Sequence, residues 1–230
     1  MKIAILGTGV VGRTLAAKFV SLGHDVMMGT RSVSQKLSSM EKGSEGEPSF
    51  SDWHKTNSKV RLGTFAVAAD EGELIFNCTP GGKSIEILKL AGQKNLSGKI
   101  LVDLANAMKW GNGQPPSLLP GLSNTTSLGE EIQKAFPDTK VVKTFNTMWC
   151  GIMVNPSIVN GGEHVNYISG NDAGARSEVK KLLMEMGWKE KNLVDLGDIT
   201  ACRAVEASLL LWARVLGVVG SQKFSFQIVK

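Results

Sequence analysis

Three glycines near the start of the chain have the spacing of a turn that binds the pyrophosphate of a dinucleotide. The segment runs Gly7-Thr8-Gly9-Val10-Val11-Gly12. Gly7 would permit a sharp turn, Gly9 would let a pyrophosphate approach the backbone, and Gly12 would let the next helix pack closely. Because a helix N-terminus attracts anions, the helix after the turn would face the pyrophosphate. We therefore predict that these six residues bind a dinucleotide cofactor.

The residues on both sides of the glycines support this interpretation. Residues 2–6 form an apolar run typical of a strand, and residues 13–22 carry apolar side chains at helical spacing. A glycine turn between a strand and a helix is the context that a dinucleotide site requires. The alternative is an ordinary glycine-rich loop, since the chain contains 26 glycines.

The second predicted strand, residues 25–29, is followed by Thr30, Arg31 and Ser32. An NAD-binding protein usually offers a carboxylate to the adenosine ribose at this point, and this chain offers none. A guanidinium can pair bidentately with a phosphate, and two hydroxyls beside it can donate to the remaining oxygens. The pattern therefore favours the 2'-phosphate of NADP. The alternative is that Arg31 is a solvated charge and that Ser32 caps the next helix.

Polar side chains also follow later predicted strands. The carboxyl ends of parallel strands meet at one edge of a sheet, and ligands bind in the crevice beyond it. There we expect Asn77, Cys78, Thr79 and Pro80 near the cofactor ribose, and the alternative is an ordinary turn that only reverses the chain. Asn106 would bond the nicotinamide carboxamide or tie its loop together. Residues 145–148, including Phe145 and Asn146, are the candidate wall for the nicotinamide.

Composition excludes several classes of protein. The 230 residues are 42% apolar and 20% charged, and the formal net charge is +5. The basic residues are dispersed, whereas a nucleic-acid surface shows clustered Lys and Arg. No signal peptide and no apolar run of membrane-spanning length can be read. The three cysteines are widely spaced, which excludes a zinc-type pair and fits a reducing compartment, so we expect no metal, no nucleic acid, no membrane and a cytoplasmic location.

The order of the elements predicts an α/β protein, because strands and helices alternate through most of the chain. Residues 41–57 are polar and predict a long surface loop, residues 111–124 predict a flap over the site, and Ser84 is expected to cap a helix that runs to Ala91.

The last thirty residues differ in character. Residues 201–219 follow helical spacing, but their apolar face is wider than one sheet could cover. Residues 223–229 alternate like an added edge strand. Helix and tail together predict the contact of a homodimer, and burial within the monomer is the alternative.

With these motifs in place, the sequence resembles the NADPH-dependent reductases of coenzyme F-420, in their broad bacterial branch. The likeness covers nearly the whole chain, and the segments that carry it are residues 7–12, 29–32, 72–79, 103–106, 142–147 and 196–199. The resemblance implies a Rossmann-type doubly wound, mostly parallel sheet over residues 1–198, with a small C-terminal helical extension, residues 199–230. It implies a dimer that moves a hydride between NADPH and a deazaflavin.

The same resemblance implies roles for single residues. Positions that match the NADP-binding ones are Thr8, Val10, Val11, Thr30, Arg31 and Ser32, with Cys78, Asn106 and Asn146 around the ribose and nicotinamide. Hydride transfer between two stacked rings needs positioning rather than a nucleophile. Phe145 and Asn146 are therefore candidate catalytic residues through positioning only.

Two other classes of function stay open. The small-molecule hydride acceptor could be a flavin, a ferric chelate, an imine or a small carbonyl compound. The chain could also be a binding module that holds NADP without turnover. The crevice offers no convincing Lys, Tyr or His as proton donor, which argues against carbonyl reduction.

Overall fold

The structure is a computed structural model that describes residues 1–43, 46–109 and 116–229. Its strands are β1 (Lys2–Leu6), β2 (Asp25–Thr30), β3 (Arg61–Thr64), β4 (Leu74–Asn77), β5 (Ile100–Asp103), β6 (Met108–Lys109), β7 (Ser117–Leu118), β8 (Lys140–Lys143), β9 (Asn166–Ile168) and β10 (Leu193–Asp195). Its helices are α1 (Val10–Ser21), α2 (Val33–Ser38), α3 (Phe50–Thr56), α4 (Phe65–Glu71), α5 (Ser84–Ala91), α6 (Gln93–Leu96), α7 (Leu128–Ala135), α8 (Cys150–Val154), α9 (Ala173–Glu185) and α10 (Cys202–Val219).

Six strands form one parallel sheet in the order β3-β2-β1-β4-β5-β8. The strand order reverses between β1 and β4, which is the switch point where ligands bind in folds of this kind. The sequence prediction of a Rossmann-type doubly wound sheet is confirmed. The strands β9 and β10 pair with each other in a separate parallel ladder, and β6 pairs antiparallel with β7.

Helices cover both faces of the sheet, and β1 shows why. Its residues Ile3 and Ile5 pack into one core with α1, while Ala4 and Leu6 pack into the other with α4 and α5. Successive side chains of a strand point to opposite faces, so a strand with helices on both sides is apolar at every position. The continuous apolar run that began the chain therefore fixes β1 in the centre of the sheet.

The polar segment 41–57 is not the uninterrupted loop that the sequence predicted. Its last part forms α3, in which Ser49 accepts a hydrogen bond from the Asp52 amide at 3.1 Å and Phe50 is fully buried. Ser49 caps this helix and Phe50 anchors it, which outweighs the polar composition around them. Residues 44–45 of this segment, and residues 111–115 of the predicted flap, lie outside the described residues.

The C-terminal tail does not form the predicted edge strand. Within the described residues it runs without regular structure after α10 and folds back, so that Phe224 stacks on Trp212 with ring centroids 5.5 Å apart. The Val165 amide donates to the Phe226 carbonyl at 3.0 Å, a single backbone contact rather than a ladder. No helix in the described part of the chain combines the length and the apolarity that a membrane crossing needs.

The outer side of α10 remains uncovered. Its inner stripe is buried, whereas Leu211 is 56% and Val218 82% exposed. The tail also carries exposed apolar residues, namely Ile228 and Val229. The homodimer and the division of the chain at residue 198 both stay predictions.

We expect light scattering at micromolar concentration to give about twice the 24.6 kDa chain mass. The double variant Leu211→Glu/Val218→Glu should give the monomer mass, because two charges would have to be buried in the contact. Leu90→Glu is the matched control, since Leu90 is an equally apolar residue that is half exposed on a different helix, α5. A monomeric wild-type protein would contradict the dimer.

Candidate functional site

An open cleft of about 900 Å³ lies at the carboxyl ends of β1, β2 and β4. Ten of the predicted cofactor-binding residues line it, namely Gly7, Thr8, Gly9, Val10, Val11, Thr30, Arg31, Ser32, Cys78 and Thr79. A smaller cavity of about 210 Å³ adjoins it and is lined by Val11, Cys78, Thr79, Pro80, Gly81, Leu104, Ala105 and Asn106. We call the two spaces the large cleft and the small cavity. Four shared lining residues join them into one groove.

The glycine turn closes through contacts between backbones. Gly7 has φ +120°, and a Cβ on it would lie 2.5 Å from the Cys78 carbonyl oxygen. A Cβ on Gly12 would lie 2.4 Å from the Gly7 carbonyl oxygen, so Gly12 packs α1 against the turn and does not line the cleft. A Cβ on Gly9 would meet nothing within 4 Å. The space beside Gly9 is thus open to a ligand, as the sequence argument required.

The N-terminus of α1 faces the large cleft, and no side chain of the helix itself caps it. Gly9 is the N-cap and makes no side-chain cap, and the first turn carries no acidic residue. Val10 and Val11 of this turn line the cleft. Unpaired N–H groups at the positive end of a helix dipole attract an anion. The residues present therefore fit the pyrophosphate of a dinucleotide.

Charged side chains surround the other end of the large cleft. Arg31, Lys36 and Lys83 line it together with one carboxylate, Glu41. Glu86 bridges two of these cations, because its Oε1 lies 3.3 Å from Arg31 Nη2 and its Oε2 lies 3.1 Å from Lys83 Nζ. All three side chains are more than half exposed, so the bridge is weak and solvent-screened.

Ser32 has the local role that the alternative gave it. Its Oγ accepts a hydrogen bond from the Gln35 amide at 3.4 Å and caps α2. Ser32 also lines the cleft, so capping does not take it out of the site. Thr30, at the end of β2, is almost fully buried.

A buried polar network lies beneath the ends of β4 and β5. Asn77 is fully buried and donates to Asp103 Oδ1 at 2.7 Å and to Ser84 Oγ at 3.1 Å. Its Oδ1 accepts from the Thr79 hydroxyl at 2.6 Å. Asn77 therefore orients Thr79 and does not line either cavity. The prediction that Ser84 caps α5 is wrong, because Lys83 is the N-cap and the Ser84 hydroxyl belongs to this network.

Cys78 lines both cavities, but its thiol is unreactive. Burial, followed by the neighbouring charge of Asp103, raises the pKa of its thiol far above the ordinary value. The neutral thiol is a poor nucleophile. Cys78 can therefore supply contact surface to a ligand, while redox chemistry at this sulfur is disfavoured. Among the described residues, no group of His, Cys, Asp or Glu side chains could hold a metal ion.

Asn106 and Asn146 bind each other behind the small cavity. The Asn106 side chain donates to the Asn146 carbonyl at 2.8 Å, and the Asn146 side chain donates to Asn106 Oδ1 and to the Val205 carbonyl, both at 3.0 Å. Asn106 lines the cavity, whereas Asn146 is buried and does not. The Asn106 side chain ties the loop together, one of the two roles predicted for it.

Phe145 lies in the hydrophobic core instead of along a cavity wall. It is 1% exposed, its ring centroid lies 6.0 Å from that of Trp188, and neither cavity includes it. A flat apolar wall at Phe145 would require this core to open. Direct contact of Phe145 or Asn146 with a nicotinamide thus has no support in the geometry, and both can act only by holding the loop.

Sequence reasoning missed a buried cluster of charges. Lys143 at the end of β8 pairs with Asp103 and with Glu206 of α10, and all three side chains are excluded from solvent. One signal was available, since Glu206 falls on the stripe of α10 formed by Cys202, Val205, Leu209 and Ala213. A carboxylate on an apolar stripe indicates a buried partner.

The comparisons with known proteins agree with this geometry. The family model described as NADP oxidoreductase coenzyme F420-dependent matches residues 2–107, a range that includes every residue lining the two cavities. A crystal structure from Arthrobacter sp. FB24, described as a candidate F420-dependent NADP reductase, is 46% identical, covers 100% of both chains and superposes with a TM-score of 0.94. The chain belongs to the coenzyme F420-dependent NADP oxidoreductase family.

The chain is also similar to proteins that are more distant and are described as reductases of other kinds. The metalloreductase STEAP3 of Rattus norvegicus is 28% identical over 208 residues, which are 90% of this chain and 36% of that protein. The chain thus spans about a third of the curated relative that it matches. An imine reductase from Myxococcus stipitatus, in complex with NAD+, is 15% identical, with a TM-score of 0.63 over 95% of this chain and 63% of its own. That likeness shows the shared fold alone.

Two glycine substitutions should separate packing from ligand approach. Gly12→Ala should lower the free energy of unfolding by about 1–3 kcal/mol, because its Cβ would collide with the Gly7 backbone. Gly9→Ala should change that free energy by less than about 1 kcal/mol and weaken NADPH binding, since its methyl group would fill the open space. Urea unfolding and NADPH titration measure both. Wild-type stability in Gly12→Ala would contradict the packing.

Proposed function

We propose that this protein is an NADPH-dependent reductase that transfers a hydride to a planar acceptor, with the deazaflavin coenzyme F-420 as the first candidate. The observation that carries the proposal is the single groove that brings together Arg31, the glycine turn and the small cavity. Support also comes from the family to which the chain belongs.

The preference for NADP over NAD is argued from the charges at the end of β2. Arg31 and Lys83 reach the large cleft from two different segments, and Glu86 pairs with both. A 2'-phosphate could replace the Glu86 carboxylate between the two cations and would bring more charge to them. A neutral ribose hydroxyl could not replace a carboxylate between two cations. The acidic residue that usually accepts a hydrogen bond from this hydroxyl is also missing at Thr30 and Ser32.

The remaining residues would bind the cofactor in order along the groove. The N-terminus of α1 would hold the pyrophosphate, and Cys78 and Thr79 would contact the ribose. Asn106 would lie beside the nicotinamide, held by Asn146 from behind. Bound NADPH would supply the hydride. The chain itself has to align two rings and keep water from them.

The lining of the small cavity favours an acceptor that needs no acid from the protein. The eight residues described there are apolar or neutral, and the raised pKa of the Cys78 thiol makes it a poor general acid during hydride transfer. A conjugated ring can take its proton from solvent after the hydride arrives. Reduction of a simple carbonyl compound needs a proton during hydride transfer, and the lining of the small cavity offers no acid to donate it.

The second candidate function is reduction of a ferric chelate. It is supported by the 28% identity to the rat metalloreductase over 90% of this chain. This chain matches only about a third of that protein, so the activity of the whole metalloreductase is carried over as a candidate alone.

For the location of the protein we propose the cytoplasm. Cys78 and Cys202 form no disulfide bond. Cysteines outside disulfide bonds are typical of a reducing compartment, which supports this location without identifying it.

Arg31→Ala should raise the dissociation constant for NADPH about tenfold or more and leave that for NADH unchanged, since one charged hydrogen bond contributes about 1.5–3 kcal/mol. Glu86→Gln should act in the opposite direction, by up to about fivefold, because it frees Arg31 and Lys83. Lys89→Ala, exposed on α5 outside the cleft, is the control. Calorimetric titration measures the affinities. Equal affinities of the wild-type protein for NADPH and NADH would contradict the NADP preference.

The acceptor is tested by NADPH oxidation with coenzyme F-420, FMN, FAD and ferric citrate. We expect the highest kcat/KM with coenzyme F-420, and a higher value with ferric citrate would favour the second candidate. A protein that binds NADPH and oxidises it with none of the four would exclude these acceptors and leave an imine, a small carbonyl compound or the non-catalytic binding module.

A further inference from the structure

Three charged side chains meet inside the protein at the carboxyl edge of the sheet. Lys143 Nζ lies 2.7 Å from Asp103 Oδ2 and 2.8 Å from Glu206 Oε1. Asp103 ends β5, Lys143 ends β8, and Glu206 belongs to the second turn of α10. The relative exposures of the lysine, aspartate and glutamate side chains are 0%, 0% and 2%. We call these three residues the buried triad.

The surroundings of Lys143 stabilise its positive charge. Burial alone would lower the pKa of Lys143, but the carboxylates of Asp103 and Glu206 raise it above its ordinary value. Glu206 accepts hydrogen bonds from the amides of Leu128 at 2.8 Å and Gly129 at 3.0 Å. These amides begin α7, so the second negative charge sits at the positive end of a helix dipole.

The buried triad holds the backbone of Ala105, a residue of the small cavity, at both its amide and its carbonyl group. Asp103 Oδ1 accepts a hydrogen bond from the Ala105 amide at 3.2 Å, and Lys143 Nζ donates a short hydrogen bond to the Ala105 carbonyl. Ala105 lines the small cavity between Leu104 and Asn106. Both polar groups of Ala105 are therefore fixed by the pair that Asp103 and Lys143 form.

Helix α10 also holds Asn106, the residue after Ala105, through Val205. The Val205 carbonyl accepts a hydrogen bond from Asn146, whose side chain in turn bonds Asn106. Val205 and Glu206 are neighbours, so α10 is connected to Ala105 through the triad and to Asn106 through the asparagine pair. The floor of the small cavity thus depends on a helix near the other end of the chain.

Stability alone does not account for this arrangement. Burying three charges is costly, and packed apolar side chains of the same volume often serve stability as well or better. Apolar side chains would leave the Ala105 carbonyl without its donor. What the triad adds over an apolar core is a fixed conformation of the backbone at Ala105 and Asn106.

We propose that Lys143 is a positioning residue that sets the backbone of Ala105 and Asn106, and through it the nicotinamide end of the groove. The identity of the bound group rests on the proposed function above. The fixed backbone does not, because it follows from the contacts of the buried triad alone. The two claims can therefore fail separately.

The test uses Lys143→Met in the full chain, with three measurements. The first is hydrogen exchange of the Ala105 amide, the second is affinity for 2',5'-ADP, which carries only the adenosine end, and the third is kcat/KM for NADPH. We expect Ala105 exchange to quicken at least tenfold, kcat/KM to fall at least tenfold, and 2',5'-ADP affinity to stay within twofold. That selective pattern would not arise from general loosening.

Asp103→Asn is the second variant, to be used if Lys143→Met does not fold. It is nearly isosteric and leaves Lys143 paired with Glu206, and the same selective pattern is expected. Glu130→Gln is the matched control, because Glu130 pairs with Arg203 at the same junction of α7 and α10 but does not contact Ala105.

Wild-type Ala105 exchange in a folded variant would overturn the proposal, as would a parallel loss of 2',5'-ADP affinity and kcat/KM. If the wild-type protein oxidises NADPH with no acceptor, the proposed function fails, and the exchange and 2',5'-ADP measurements still decide the role of Lys143.

Discussion

The close approach of three backbones at the first turn is the constraint on which the rest of the site depends. Gly7 touches the end of β4 at Cys78, and Gly12 brings α1 against the Gly7 carbonyl, at distances that leave no room for a Cβ. This contact aims the N-terminus of α1 at the large cleft and sets Cys78 and Thr79 beside it. A side chain at either glycine would separate the anion site from the end of β4.

The charged residues at the two ends of the groove differ in their exposure to solvent. At the end where we propose that the adenosine binds, Arg31, Lys83 and Glu86 are exposed, so their attraction for a phosphate falls with salt. At the other end, Asp103, Lys143 and Glu206 are buried and pair with each other and with backbone groups. Such contacts fix geometry more than affinity, which the proposed hydride transfer between two aligned rings would require.

The sequence predicted the local features of this molecule and missed the distant ones. The strand, turn and helix around Gly7 and the parallel α/β order could be predicted because they depend on neighbours in sequence. The buried triad could not, since Asp103 and Lys143 are 40 positions apart and Glu206 bonds Leu128 across 78. Helix α3 was missed because its segment is polar in composition, and the burial of one residue, Phe50, anchors it to the core. Phe145 was assigned to a cavity wall because apolar type does not say which side of a loop is buried.

The most direct test of the central claim is a crystal structure of the protein with NADP+. It should show the pyrophosphate against the backbone of residues 9–11 and the 2'-phosphate within hydrogen-bond distance of Arg31, with Glu86 displaced from that guanidinium. An adenosine end bound elsewhere, or an Arg31 still paired with Glu86 while the 2'-phosphate points to solvent, would contradict the account.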